Sequence, residues 1–89
     1  MTTEEFIKLA KEMVLKETNK RLDPKFNYPV DLNDVFVVWY SKTIQNHKAL
    51  LGTALPDKLY FEATYHGDKE ELYLDIYKKE RKITKRDVF

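Results

Sequence analysis

Apolar residues near the start of the chain recur with a helical period. Between residues 6 and 14 their spacing alternates between three and four, which lines one face of an α-helix. Thr2 and Glu5 have the spacing of a capping box, and Asp23-Pro24 blocks continuation. We therefore predict a helix over residues 3–21 that begins with acids and ends with bases, as its dipole favours. Its apolar face comprises Phe6, Leu9, Ala10, Met13 and Val14, with Ile7 on its shoulder.

The segment between this helix and the first apolar run, residues 22–34, has no period. Prolines at positions 24 and 29 and a polar stretch from Asp31 to Asp34 are typical of a connection. We interpret the segment as a loop held against the rest of the molecule by Phe26, Tyr28 and Leu32.

The remainder of the chain shows strand-like runs separated by turn residues. β-Branched and aromatic residues dominate the runs, and short polar or proline- and glycine-containing segments divide them. Connections this short cannot form parallel crossovers, so the strands should pair antiparallel in sequential order. Gly67, in the last turn, is expected to supply a positive φ angle. The predicted strands are Val35 to about Ile44, Lys48 to Leu55, Leu59 to Tyr65 and Glu71 to Lys78.

Alternation within the strands assigns their faces. One side of the third and fourth strands is almost purely apolar and should contact the helix, while the other side carries tyrosines and acids. The first strand is apolar on both sides, so either Phe36, Val38 and Tyr40 or Val35, Val37 and Trp39 point away from the helix. We expect burial of Phe6, Leu9, Met13, Phe61, Leu72, Leu74 and Ile76.

These elements define an α+β fold: one N-terminal helix packed on a four-stranded antiparallel meander sheet, in the order α-β-β-β-β. A length of 89 residues suits one domain. We assign that domain to residues 1–79. Residues 80–89 are interpreted as a basic, flexible tail, because residues 78–87 contain six bases and two acids whereas the whole chain has a net charge of +1.

Composition removes several classes of function. The chain has no cysteine, no run of about 20 apolar residues and only two glycines, which lie far apart. Thiolate metal sites, membrane spans and glycine-rich phosphate loops are therefore not expected, and we predict a cytoplasmic protein with no cofactor. His47 and His66 fall in predicted turns, where we interpret them as polar surface residues rather than ligands or catalysts.

The tyrosine-bearing side of the sheet is the candidate binding surface. Three tyrosines on one face exceed what solubility requires and indicate protein binding, with ordinary cross-strand packing as the alternative. The partner would be a second copy, giving a homodimer, or an unidentified protein. An enzyme using the two acids of this face is a weaker interpretation. The candidate face comprises Tyr60, Glu62, Tyr73, Asp75 and Tyr77.

The basic tail suggests a second kind of partner. Bases beside aromatic strands are also found in proteins that stack nucleobases and neutralise phosphates. Nucleic-acid binding is the alternative function, although the rest of the chain is acidic and a solvated tail is the simpler interpretation. The candidate residues are Arg81, Lys82, Lys85 and Arg86.

Three segments carry a family resemblance. Asp34-Val35-Phe36-Val37-Val38-Trp39, the run from Lys42 to Leu51 and the run from Tyr65 to Tyr73 resemble a family of short uncharacterised proteins encoded by phages and prophages of lactic acid bacteria and their relatives. The family typically has Asn where this chain has His66, and a less basic C-terminus. The resemblance implies a protein made inside an infected bacterium and supplies no catalytic residues.

Overall fold

The computed structural model describes residues 1–22, 30–55 and 59–87. Helix α1 comprises Thr3–Arg21, and a short 3₁₀ helix, η1, comprises Leu32–Asp34. Strands β1 (Val35–Thr43), β2 (Asn46–Thr53), β3 (Leu59–His66) and β4 (Glu71–Lys78) form an antiparallel sheet in the order β1-β2-β3-β4. The predicted α+β fold is confirmed, and β2 begins and ends two residues earlier than predicted.

Helix α1 begins at the predicted cap. The Thr2 hydroxyl accepts the Glu5 backbone N–H at 3.1 Å and donates to the Glu5 carboxylate at 3.1 Å. The carboxylate thus binds the capping hydroxyl rather than the Thr2 backbone. At the other end the Asn19 amide binds both backbone groups of Val30, at 2.8 and 3.1 Å, and fixes the chain where it approaches η1. Of the three residues predicted to hold this loop, Leu32 is exposed, and Phe26 and Tyr28 lie outside the described residues.

The core lies between α1 and the side of the sheet that we call the inner face. Phe6, Ala10 and Val14 of the helix recur every four residues and are fully buried. Small residues at the centre of the sheet, Ala49 and Ala63, let the helix approach closely. The remaining buried apolar residues of this cluster are Val35, Leu51 and Phe61.

Several residues predicted to be buried are less covered than expected. Leu9 is 38% exposed, because the buried row of the helix follows a spacing of four and leaves this position on the flank. Met13 is half-buried for the same reason. On β4, Leu72, Leu74 and Ile76 point to the inner face but are half-buried, since a single helix cannot cover the whole width of four strands.

The two β-hairpin turns β1–β2 and β3–β4 pack against each other. Asn46 accepts the Gly67 N–H at 2.9 Å, and a Cβ atom at Gly67 would lie 2.5 Å from the Gln45 carbonyl oxygen. Gly67 does not have a positive φ, contrary to prediction; Glu70 (52°) has one in the same turn. Glycine is required at position 67 because another turn lies against it, not because of its own backbone angle. Ile44, in the β1–β2 turn, also has a positive φ of 51°.

Candidate binding site on the outer face of the sheet

A β-bulge decides which residues of β1 point away from the helix. Val37 pairs with Leu51 and Trp39 pairs with Leu50, so Val38 is the extra residue between them. The bulge reverses the alternation, because one inserted residue exchanges the two faces beyond it. Neither predicted set is therefore correct. Val35, Val37 and Tyr40 turn inward, and Phe36, Val38 and Trp39 are exposed.

The side of the sheet opposite α1, which we call the outer face, carries four rows of side chains, the last of which pairs Thr43 with Asn46 and His66 with Glu71. In the first row Phe36 pairs with Gly52 and Tyr60 with Tyr77. In the second row Trp39 pairs with Leu50 and Glu62 with Asp75. In the third row Ser41 pairs with Lys48 and Thr64 with Tyr73.

All five residues of the predicted binding face lie on this outer face. Tyr60 and Glu62 are half-buried on the central strand β3, and Tyr73, Asp75 and Tyr77 are exposed on the edge strand β4. The structure thus brings these side chains together as the alternation predicted.

The aromatic end of the outer face is built around a glycine. A Cβ atom at Gly52 would lie 2.8 Å from Cζ of Phe36, so the ring lies directly over the glycine backbone. An aromatic ring across from a strand glycine covers backbone that would otherwise be solvated. Phe36 remains 49% exposed, Trp39 41% and Tyr77 51%. Phe36 and Trp39 thus extend the tyrosine patch onto β1.

Charges occupy the middle and the opposite end of the outer face. Lys48 Nζ lies 3.4 Å from Glu62 Oε1, a diagonal ion pair between β2 and β3. On β4 the Tyr73 hydroxyl donates a hydrogen bond to Glu71. That hydrogen bond, with a smaller effect of desolvation and of the carboxylate charge, raises the pKa of Tyr73 above its ordinary value of 10.0. This surface is therefore apolar at one end and polar at the other.

Sequence reasoning missed part of this surface. The predicted surface did not include Lys48, Leu50 and Gly52, and it left open whether Phe36 or Trp39 points outward. A glycine inside the next predicted strand, Gly52, was available as a signal that an aromatic ring covers the backbone there. The bulge was not, because an apolar run such as Val35–Tyr40 reads the same with or without an inserted residue.

Sequence reasoning also misplaced His47, which it assigned to a turn. It lies in β2, is 1% exposed and stacks on Phe6 with ring centroids 5.1 Å apart. Its Nδ1 lies 2.6 Å from the Tyr40 hydroxyl, and its Nε2 lies 3.2 Å from the Met1 carbonyl. A carbonyl only accepts, so Nε2 carries the proton, and in a neutral ring Nδ1 accepts from Tyr40. The Thr3 hydroxyl lies 3.0 Å from the same Tyr40 oxygen, which extends the chain of hydrogen bonds from the buried imidazole to the surface.

This buried cluster has a structural role. All side-chain polar atoms of His47 and Tyr40 have partners within the chain, and Tyr65 closes the cluster with its ring 6.0 Å from the imidazole. The arrangement joins the N-terminus of α1 to β1 and β2. His66, predicted to lie in a turn, ends β3 and is half-buried. Within the described ranges, no group of three or more histidines, cysteines or acids could hold a metal ion.

The predicted nucleic-acid residues lie beyond the sheet. β4 ends at Lys78, and residues 79–87 are exposed without helix or strand. Arg81, Lys82, Lys85 and Arg86 are therefore solvent-facing and lie outside the strands of the sheet. No helix in the described part of the chain is both long and apolar enough to cross a membrane.

In the part of the chain that the structure describes, the fold and site define a small α+β protein in which one helix covers one side of the sheet. The family model described as "Family of unknown function (DUF6275)" matches residues 7–87, and the chain belongs to this family. Comparison with curated proteins found no match, and neither did comparison with solved structures.

Proposed function

We propose that this chain is a non-enzymatic protein-binding module that acts through the outer face of its sheet. The observation that supports the proposal is the exposure of Phe36, Trp39 and Tyr77 together on the side opposite the helix. Contiguous exposed aromatic patches mark interaction surfaces, and tyrosine and tryptophan are enriched there because their rings pack while their polar atoms stay hydrogen-bonded.

The arrangement of the two acids favours binding over catalysis. An acid–base pair needs two environments that separate the pKa values of its members. Glu62 and Asp75 are cross-strand neighbours on the same open surface, and Glu62 is already paired with Lys48 at 3.4 Å. A carboxylate held by a lysine serves specificity in an interface better than proton transfer.

The cell in which the module works is part of the proposal, and the family resemblance suggests which cell it is. The resemblance to short phage and prophage proteins supports a phage accessory protein made in the cytoplasm of an infected bacterium. Its partner is then a second copy, a host protein or another phage protein.

Photo-crosslinking in the producing bacterium tests the binding surface. A photoreactive phenylalanine analogue replaces exposed Tyr77 on the outer face in one variant and exposed Lys16 on the helix in the control. We expect protein adducts from position 77 and none from position 16. Adducts of equal yield at both positions, or at neither, would contradict the proposal. The mass of the adduct separates self-association from capture of another protein.

The exposed basic tail supports a second candidate function, nucleic-acid binding. Residues 81–86 contain four bases and no acid, and all are exposed. Such a tail would contact phosphates and release counterions, so binding should fall steeply with salt. Electrophoretic mobility shifts of single-stranded DNA and RNA with the full chain, and with a chain ending at Lys79, provide the test. Binding that is absent, or that survives truncation, removes this candidate.

A further inference from the structure

The occupant of the outer face follows from its charges and its size, if the proposed function is correct. We infer that this face binds the same face of a second copy, with β1 of one copy over β4 of the other. The inference rests on the proposed function and goes further by naming the partner and its orientation.

The size of the face sets the first constraint. Three of its strands have eight residues and the fourth has nine. With strands about 4.8 Å apart and about 3.3 Å per residue, the face measures on the order of 500 Å². Two copies in full overlap then bury on the order of 1,000 Å², close to the lower limit for a specific interface. A partial overlap falls below it, so the two faces must cover each other completely.

Charge selects between the two ways of achieving full overlap. Face-to-face two-fold axes lie in the plane between the sheets, either across the strands or along them. An axis across the strands places each strand over its own copy. If this axis passes between the second and third rows, the aromatic row of Phe36 and Tyr77 meets the polar row of Thr43 and Glu71, and its rings gain no apolar partner. If it passes through the row of Glu62 and Asp75, that row meets itself. Like charges in direct opposition cost several kcal/mol, which a minimal interface cannot offset. This orientation is therefore excluded.

An axis along the strands brings complementary groups together. It places β1 over β4 and β2 over β3 of the second copy while each row stays opposite itself. Trp39, whose indole N–H is a donor, then faces the exposed carboxylate of Asp75 of the second copy. Phe36 faces Tyr77 of the second copy in the aromatic row.

The centre of the same arrangement is an ion-pair network. Lys48 on β2 and Glu62 on β3 already form a diagonal pair at 3.4 Å. Stacking β2 over β3 places each lysine one row from the glutamate of the second copy as well. Two lysines and two glutamates then alternate at the middle of the interface, where charges set the register of association.

A charge exchange tests this orientation. Lys48→Glu makes all four central charges negative, and Glu62→Lys makes them all positive, so each variant should repel itself. In an equimolar mixture the opposite signs meet again. By sedimentation equilibrium at micromolar concentration we expect a dimeric wild type, dissociation constants raised at least about tenfold for each single variant, and recovery of the dimer on mixing. Recovery also shows that both variants are folded.

A charge reversal away from the outer face serves as the control. Lys8→Glu changes the same charge on the exposed side of the helix and should leave the dimer intact. A monomeric wild type, unaffected single variants, or a mixture that stays monomeric would each overturn the inference. If the wild type is monomeric but position 77 crosslinks to a different protein, the proposed function stands and only the identity of the partner is wrong. If position 77 yields no adduct and the chain is monomeric, both fail.

Discussion

The inner and outer faces of the sheet both carry aromatic residues but differ in what lies at their centre and in how they are covered. The inner face has alanines at its centre, Ala49 and Ala63, so a helix lies close and encloses Leu51 and Phe61 completely. The outer face has Glu62 and Lys48 at its centre, and its aromatic residues remain about half exposed. Small residues at the centre of a sheet allow a helix of the same chain to pack closely against it. A central ion pair flanked by aromatic residues is better suited to a partner that binds and dissociates.

The largest expected difference between the faces is in stability. Phe61→Ala removes a fully buried ring and should lower the free energy of unfolding by about 3–5 kcal/mol. Phe36→Ala removes a ring that is 49% exposed and should cost about 1 kcal/mol, since little area returns to water. Urea unfolding followed by circular dichroism measures both. Equal costs would mean that the outer face is as well packed as the inner one.

The second prediction concerns a hydrogen bond in the cluster around His47 on the inner face. Tyr40→Phe keeps the ring but leaves Nδ1 of the buried His47 without its partner at 2.6 Å. An unsatisfied buried acceptor costs about 1–3 kcal/mol. Tyr77→Phe makes the same change on the exposed outer face and should alter the free energy of unfolding, measured by urea denaturation, by no more than about 0.5 kcal/mol. A Tyr40→Phe protein as stable as the control would show that water reaches His47.

The element pattern was predictable from sequence, and the details of the faces were not. Periodicity located α1 and all four strands, because helical and strand spacings depend on short-range sequence. The bulge at Val38 depends on which register of β1 and β2 packs best, a tertiary property. The burial of His47 arises in the same way. A polar residue beside Gln45 and Asn46 is typical of a turn until Tyr40 and the Met1 carbonyl supply partners.

The candidate site shows the same division. Alternation in β3 and β4 placed Tyr60, Glu62, Tyr73, Asp75 and Tyr77 on one face, as the structure does. The contribution of β1 could not be assigned, because both of its sides are apolar. The basic tail was recognisable by composition alone, and its role stays a prediction.

Substitution of the two glycines by alanine compares the packed turns around Gly67 with the aromatic row around Gly52, and smaller effects are expected. Gly67→Ala places a methyl group 2.5 Å from the Gln45 carbonyl oxygen, and a backbone atom of a packed turn cannot move easily. We expect a loss of about 1–3 kcal/mol. Gly52→Ala instead meets the Phe36 ring at 2.8 Å. That exposed ring can rotate, so we expect a change below about 1 kcal/mol, partly offset by the lower chain entropy of alanine. Thermal unfolding compares them; a larger loss at Gly52 would mean that the Phe36 ring is fixed.

Relief of backbone strain should stabilise the protein slightly. Ile44 has φ of 51°, a region that β-branched residues avoid, and its side chain is 87% exposed. Ile44→Asn should raise the free energy of unfolding by about 1 kcal/mol, because asparagine tolerates the left-handed region and no buried contact is lost. Ile44→Val keeps the branched Cβ and should change nothing. If both variants were equally stable, the turn would have an unstrained alternative conformation.

The smallest expected effect concerns the polar end of the outer face and appears only in alkaline solution. The pKa of Tyr73 is raised by its hydrogen bond to Glu71, by desolvation and by the carboxylate charge. The folded protein thus retains the phenol proton more tightly than the unfolded chain. This contribution to stability is complete below the ordinary tyrosine pKa of 10.0 and is lost as pH rises through the higher folded pKa.

Glu71→Gln should lower the pKa of Tyr73 toward its ordinary value, which a ¹³C NMR titration of the Tyr73 ring measures directly. Asp75→Asn removes a neighbouring carboxylate on the same strand that does not bind the hydroxyl, so it should shift this pKa much less. Equal shifts in the two variants would mean that general negative charge on β4, rather than the hydrogen bond, retains the proton.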